Sequence, residues 1–153
     1  MSDNLRLIAL DAEDLAIVSA NLQDACVKIA DMAYLPRSKR FALVASRFDW
    51  VAAAEGVNER CRTGLHFERV LKATCTGFDQ NVKDTCLSLL SVAYRVKDAP
   101  AGYVTLTFSG GAAVRLDVEC LEAQVHDMGP RWPAKTCPAH ELDDATEPRP
   151  ADA

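Results

Sequence analysis

The stretch from Tyr103 to Glu119 limits the fold more than any other part of the chain. Val104, Leu106 and Phe108 alternate with polar or small neighbours, Gly110-Gly111 intervenes, and Val114, Leu116 and Val118 resume the alternation. Period-two alternation marks a strand with one buried face, and two such runs around glycines make an antiparallel hairpin. The same pattern constrains the loop. A two-residue Gly110-Gly111 turn would set Leu106 opposite Arg115 and Val104 opposite Asp117, mixing the two faces. A loop of odd length, residues 110–112 or five residues, sets Phe108 beside Val114, Leu106 beside Leu116 and Val104 beside Val118, and this is the expected register.

Other runs extend the sheet. Val27–Leu35 and Arg40–Trp50 read as a hairpin around Pro36-Arg37-Ser38-Lys39, pairing Tyr34 with Phe41, Met32 with Leu43 and Ala30 with Ala45. Phe41, Leu43 and Ala45 share one parity while Phe48 and Trp50 take the other, so a bulge is expected near Ser46-Arg47. Arg62–Thr76 reads as one long strand. Thr85–Lys97 follows as another, with Cys86, Leu90, Val92, Tyr94 and Val96 on one face.

Two helices are predicted. Asp11 is placed as an N-cap, with Glu13 and Asp14 in the first turn and Leu10 and Leu15 as a hydrophobic staple. The stripe Leu15, Val18, Leu22 carries that helix over 11–23. Leu121, Val125 and Met128 stand at i, i+4 and i+7 ahead of Gly129-Pro130, which predicts a short helix over 119–128.

The expected fold class is therefore α+β. One domain over residues 1–130 has a mainly antiparallel sheet of about six strands, curled into a barrel or sandwich. An N-terminal helix and a short C-terminal helix complete it, in the manner of a pleckstrin-homology-like barrel. Residues 131–153 read as a flexible, acidic, proline-rich tail with little apolar surface to bury.

Charge and composition exclude several function classes. Of the net charge of -5, the last thirteen residues carry -4, so the rest of the chain is close to neutral. Such a body lacks the basic footprint that nucleic acids and anionic membranes require. No apolar run reaches the length of a membrane-spanning helix, and the N-terminus lacks a basic region, so no signal peptide and a cytoplasmic location are expected. Six cysteines at 26, 61, 75, 86, 120 and 137 show no Cys-x-x-Cys spacing and are read as structural or incidental thiols. His126-Asp127 and Cys137-Pro138-Ala139-His140 are isolated pairs, so no metal is expected. No phosphate loop or nucleophile elbow is present, and no cofactor is expected.

Two surface groupings remain as candidate sites. His66 and Glu68 share a strand face, with Arg62 upstream and Asp49 and Trp50 as potential neighbours; a pocket enclosing them would support acid–base chemistry or metabolite binding. Arg37, Lys39 and Arg40 form a basic hairpin tip followed by Phe41, Phe48 and Trp50, the grammar of a single-strand nucleic-acid binder, although the aromatics read more simply as core.

The motifs Leu-Arg-Leu-Ile-Ala-Leu-Asp-Ala-Glu-Asp-Leu (5–15), Asp-Met-Ala-Tyr-Leu-Pro (31–36), Arg-Phe-Asp-Trp (47–50), Thr-Gly-Leu-His-Phe-Glu-Arg-Val (63–70) and Phe-Ser-Gly-Gly (108–111) resemble an alphaproteobacterial family known as domain of unknown function 2948. The resemblance covers about residues 4–130. It implies a cytosolic bacterial protein and supplies no catalytic residues to carry over. Function is thus expected to be non-catalytic: a binding or assembly module that meets a protein partner or a second copy of itself through an exposed strand edge. The rival expectation is a small enzyme around His66 and Glu68.

Overall fold

A computed structural model describes residues 4–134. The chain runs β1 (Arg6–Ala9), α1 (Ala12–Asn21), β2 (Ala25–Leu35), β3 (Arg40–Phe48), α2 (Trp50–Ala54), β4 (Glu59–Phe67), β5 (Val70–Thr76), β6 (Cys86–Asp98), β7 (Ala101–Phe108), β8 (Ala113–Val118) and β9 (Ala123–Pro133). A 3-10 turn over Ser109–Gly111 joins β7 and β8. The strands form one sheet in the order β1-β9-β4-β3-β2-β6-β7-β8-β5. Every ladder in it is antiparallel.

This corrects the expected fold class. The described residues form a nine-stranded, mostly β structure, not an α+β fold with six strands. Its edge strands β1 and β5 do not pair, so the sheet is open and is neither a barrel nor a two-sheet sandwich. Three misreadings account for the strand count. The lead-in at Arg6–Ala9 is a strand. The run 62–76 breaks into β4 and β5 at Glu68-Arg69, where Arg69 takes a positive φ of 59°. The predicted helix at 119–128 is instead β9, so the capping helix of a pleckstrin-homology-like barrel is missing. Leu121 and Val125 lie four apart, a spacing that satisfies both the helical period and the strand period. The deciding residues are Ala123, which is buried with them as a strand requires, and Met128, which is 50% exposed and off the supposed stripe.

Other expectations hold in kind. Asp11 caps α1, accepting a bond from the Asp14 N–H at 2.8 Å. Leu15, Val18 and Leu22 are buried, although Leu10, the other half of the expected staple, is 62% exposed. The glycine hairpin has the predicted odd loop. The loop is Ser109–Gly111, Phe108 N–H donates to Ala112 C=O, and the register pairs Leu106 with Val114 and Val104 with Leu116. That is one pleat from the predicted pairing, so every apolar side chain keeps its predicted face.

The β2–β3 tip pairs Tyr34 with Phe41 and Met32 with Leu43 as expected, but lower down Val27 meets Ala45. The bulge therefore lies in β2, between Val27 and Met32, and β3 pairs with β4 without interruption from Phe41 to Phe48. The change of phase near Arg47 has another cause: Arg47 continues the inward parity of Phe41, Leu43 and Ala45 as a buried ion, and Phe48 is buried on the opposite parity. In β6 a register shift between Leu89 and Ser91 moves the buried face from Leu87 and Leu89 to Val92, leaving Leu90 exposed.

One hydrophobic core unites the sheet. Phe41, Leu43, Leu65, Phe67 and Val125 on one half cluster with Val104, Leu106, Phe108, Val114 and Leu116 on the other. The halves are joined by a single ladder, β2–β6, which spans only Ala25↔Leu89 to Lys28↔Cys86. Helix α1 packs against β6, where the Val92 N–H donates to Ser19 Oγ at 2.9 Å. Among the described residues no helix is long and apolar enough to cross a membrane. The bulk of the proline-rich segment, including Cys137 and His140, lies outside the described residues.

Candidate functional site

Three separate environments take up the residues singled out from the sequence. The first is a buried ionic cluster. Asp49 caps α2 by accepting the Ala52 N–H at 3.0 Å, and its other oxygen accepts from the Arg131 guanidinium. Arg47 forms a two-pronged bond to Asp127, at 2.8 and 2.7 Å, and Asp127 also accepts from the Thr63 hydroxyl at 2.8 Å and the Leu5 N–H at 2.6 Å. Five segments, β1 with its lead-in, β3, α2, β4 and β9, thus meet at two carboxylates. In the sequence Asp127 is half of an isolated His-Asp pair, and nothing local shows that Arg47 will face it from 80 positions away.

Burial by itself would raise the Asp127 pKa. The Arg47 bond, the Leu5 N–H and the Thr63 hydroxyl outweigh it and hold the carboxyl at about 2. The saturated lone pairs of Asp127 make it a clasp rather than a base. Its folded pKa lies below its ordinary value of 3.8, so its stabilising effect is complete above about pH 4 and is lost as the pH falls to about 2. We expect chemical denaturation to show about 2 kcal/mol lost from this group across that window, and a flat profile there would show that the clasp does not couple to folding.

The second environment holds His66 and Glu68. His66 Nδ1 lies 2.7 Å from Glu68 Oε2, and the same oxygen accepts from Arg40 Nε at 2.7 Å. Burial acts to raise the Glu68 pKa, but His66 and Arg40 lower it below the usual carboxylate value. The depression over His66 is lined by β1 and β9 residues such as Arg6, Gln124 and His126, and neither Asp49 nor Arg62 reaches it. Arg62 lies instead in an outer-face cleft with Lys28, Asp31, Ser46, Asp84 and Trp132. Trp50 packs edge-on against Phe48, with ring centroids 4.7 Å apart, and donates its indole N–H to Gln23 C=O. Of the five candidate residues, His66 and Glu68 are therefore together, and Asp49, Trp50 and Arg62 lie elsewhere.

At the basic hairpin tip, Lys39 pairs with Glu119 at 3.2 Å and Arg40 with Glu68. Phe41 and Phe48 are buried, so neither offers a ring face for base stacking. Two cysteines depart from the expectation of incidental thiols: Cys26 and Cys86 form a disulfide across β2 and β6, with Cα atoms 6.0 Å apart. Among the described residues Cys61, Cys75 and Cys120 are free, and no cluster of metal-ligating side chains occurs.

The third environment was not foreseen. Beyond Lys28, β2 leaves its ladder with β6, and Met32–Leu35 pair with β3 alone. At the far end of the sheet β5 pairs only with β8. β5 touches the β2–β3 hairpin where the hydroxyl of Tyr34 in β2 donates to Val70 C=O at 2.9 Å and the Val70 N–H donates to the C=O of Lys39 in the hairpin turn at 2.8 Å. Beside this contact is a slit of about 240 Å³ reaching the core residues Ile29, Phe41 and Val114. Met32, Ala73, Cys75 and Phe78 form its apolar walls, with Lys83 and Gln80 also lining it. Burial raises the pKa of the Cys75 thiol. One sequence signal of the slit exists: apolar parity changes within β2, from Val27 and Ile29 to Met32 and Tyr34.

The chain matches the family described as Protein of unknown function (DUF2948) over residues 5–140, most of its length, and belongs to that family. No curated protein and no solved structure matches it.

Proposed function

We propose that this member of the DUF2948 family is a cytosolic peptide-binding module that takes up an extended segment of a partner protein along the edge of β5 beyond Val70. The observation that carries the reading is the slit directly beside an edge of β5 that, beyond Val70, no other strand among the described residues pairs. An edge strand presents a row of backbone donors and acceptors, and an added strand satisfies them while its alternate side chains enter neighbouring pockets. Size favours a peptide over a metabolite. The slit, at about 240 Å³, falls short of the roughly 300–1,000 Å³ of small-molecule sites but suits one or two apolar side chains. The dispersal of His66, Asp49 and Arg62 favours binding over catalysis.

The test is titration of a fluorescein-labelled heptapeptide of alternating character, Lys-Thr-Leu-Thr-Val-Thr-Lys, by fluorescence anisotropy. Ala73→Trp fills the slit from a half-buried position and is expected to weaken binding by on the order of tenfold or more without lowering the melting temperature. Equal affinity in wild type and variant would place the peptide elsewhere, and absence of binding at millimolar peptide would remove the reading.

A further inference from the structure

We infer that the Cys26–Cys86 disulfide is a redox latch that holds the peptide slit in its binding form. The inference rests on the peptide-binding reading above. It starts from topology. Among the described residues the β2–β6 ladder is the only one joining the two halves of the sheet, and it ends at Lys28↔Cys86. The slit opens directly beyond that end. Cys86 sits opposite Lys28 and Cys26 opposite Ser88, so the disulfide runs diagonally over the last turn of the ladder.

Residues 77–85 lead into Cys86 and supply Phe78, Gln80 and Lys83 to the slit. This loop is tied to the β2 bulge by two backbone bonds, Ile29 N–H to Thr85 C=O and Ala30 N–H to Lys83 C=O, each 3.0 Å. With the disulfide closed, loop and bulge are fixed together at the mouth of the slit. With it open, these two bonds lie past the end of a four-pair ladder, where local opening is least costly.

Access suits exchange. Cys86 is exposed and Cys26 half-buried, unlike the buried thiol of Cys61. Lys28, across from Cys86, and Arg62 share the outer-face cleft with Cys26. Asp31 and Asp84 line the same cleft, and both lie on the bulge-and-loop side that the latch would release. In a reducing cytosol a protein disulfide is characteristically transient and redox-sensing.

The reductant is a low-molecular-weight thiol. Its thiolate attacks the exposed Cys86 sulfur, the S–S bond breaks, and Cys26 leaves as a thiolate and takes a proton. A second thiolate attacks the small-molecule sulfur of the mixed disulfide and frees Cys86. Two small thiols are oxidised to one small disulfide, and one protein disulfide is reduced to two thiols.

The experiment uses the full chain with and without dithiothreitol. Alkylation of the denatured protein followed by intact-mass measurement is expected to show two more modified thiols after reduction, and these two are expected to be absent from Cys26→Ser/Cys86→Ser. Amide hydrogen exchange of residues 77–85 is expected to quicken, and affinity for the labelled heptapeptide to fall, each by on the order of tenfold on reduction. The double variant should behave like reduced wild type and ignore dithiothreitol. Unchanged exchange and affinity, no gain of thiols, or a dithiothreitol effect that persists in the double variant would each overturn the latch. Faster exchange with no peptide binding in either state would instead sink the peptide-binding reading and leave the redox-controlled loop standing. Equal binding in both states would do the reverse.

Discussion

Asp127→Ala is expected to destabilise the fold by about 3–5 kcal/mol, the cost of breaking a buried ion pair and leaving Arg47 only the longer 4.0 Å contact with Asp49. The Arg47 side chain is 4% exposed and that of Asp127 is 0% exposed, so water cannot take over the lost bonds. The substitution also removes the acceptor for the Thr63 hydroxyl and the Leu5 N–H. Arg131 keeps its bond to Asp49, which limits the damage on that side. Urea denaturation should show a lower midpoint with an unchanged slope, since the same surface is exposed on unfolding. The variant should also lose the acid-dependent part of its stability between pH 4 and 2. Lys39→Ala is a fitting contrast. Lys39 and Glu119 are 49% and 41% exposed, and such a surface pair contributes at most about 1 kcal/mol. If Asp127→Ala cost no more than Lys39→Ala, the clasp would be energetically idle.

Phe67→Ala is expected to be comparably severe, about 3–5 kcal/mol, from lost transfer energy and the cavity left behind. Phe67 is fully buried at the end of β4, paired with Phe41 on one side and Ala123 on the other. It stands just before the Glu68-Arg69 turn that carries the chain from one half of the sheet to the other. From Thr63 to Phe67 the ladders to both neighbouring strands are unbroken, so the site has little freedom to collapse. For a chain of this size the loss corresponds to a drop of roughly 6–20 °C in melting temperature. Phe67→Leu retains much of the volume and should lose clearly less. A melting temperature within about 2 °C of wild type for Phe67→Ala would mean the core relaxes around the gap.

Both substitutions act at places whose importance the sequence conveys unequally. Phe67 falls in a run whose alternation marks it as core. Asp127 stands two residues after Val125 and next to His126, and its neighbours suggested a helix. The spacing of Leu121 and Val125 is compatible with either period, and pairing with β4 and β1 decided the matter. Arg47 is a similar case: a charged residue on the inward parity looks like a break in the pattern until its partner is located on a distant strand. The sheet edges, and with them the slit, were equally hidden. A strand's own residues do not say whether a second neighbour will pair with it, and β5 reads like any other strand of its length.

The sequence by itself determined local structure wherever a single period was unambiguous. The α1 cap at Asp11, the β2–β3 tip and the odd loop between β7 and β8 all follow from side-chain polarity and turn chemistry within a few residues. Only the tertiary structure decided what depends on contacts between distant segments: that the sheet has nine strands and stays open, that Asp127 neutralises Arg47, that Cys26 reaches Cys86, and that β2 and β5 diverge around an apolar slit. The physical reason is one of range. Alternation and capping are set by neighbours along the chain, whereas strand order, ion pairing and edge exposure are set by which surfaces meet when the core is buried.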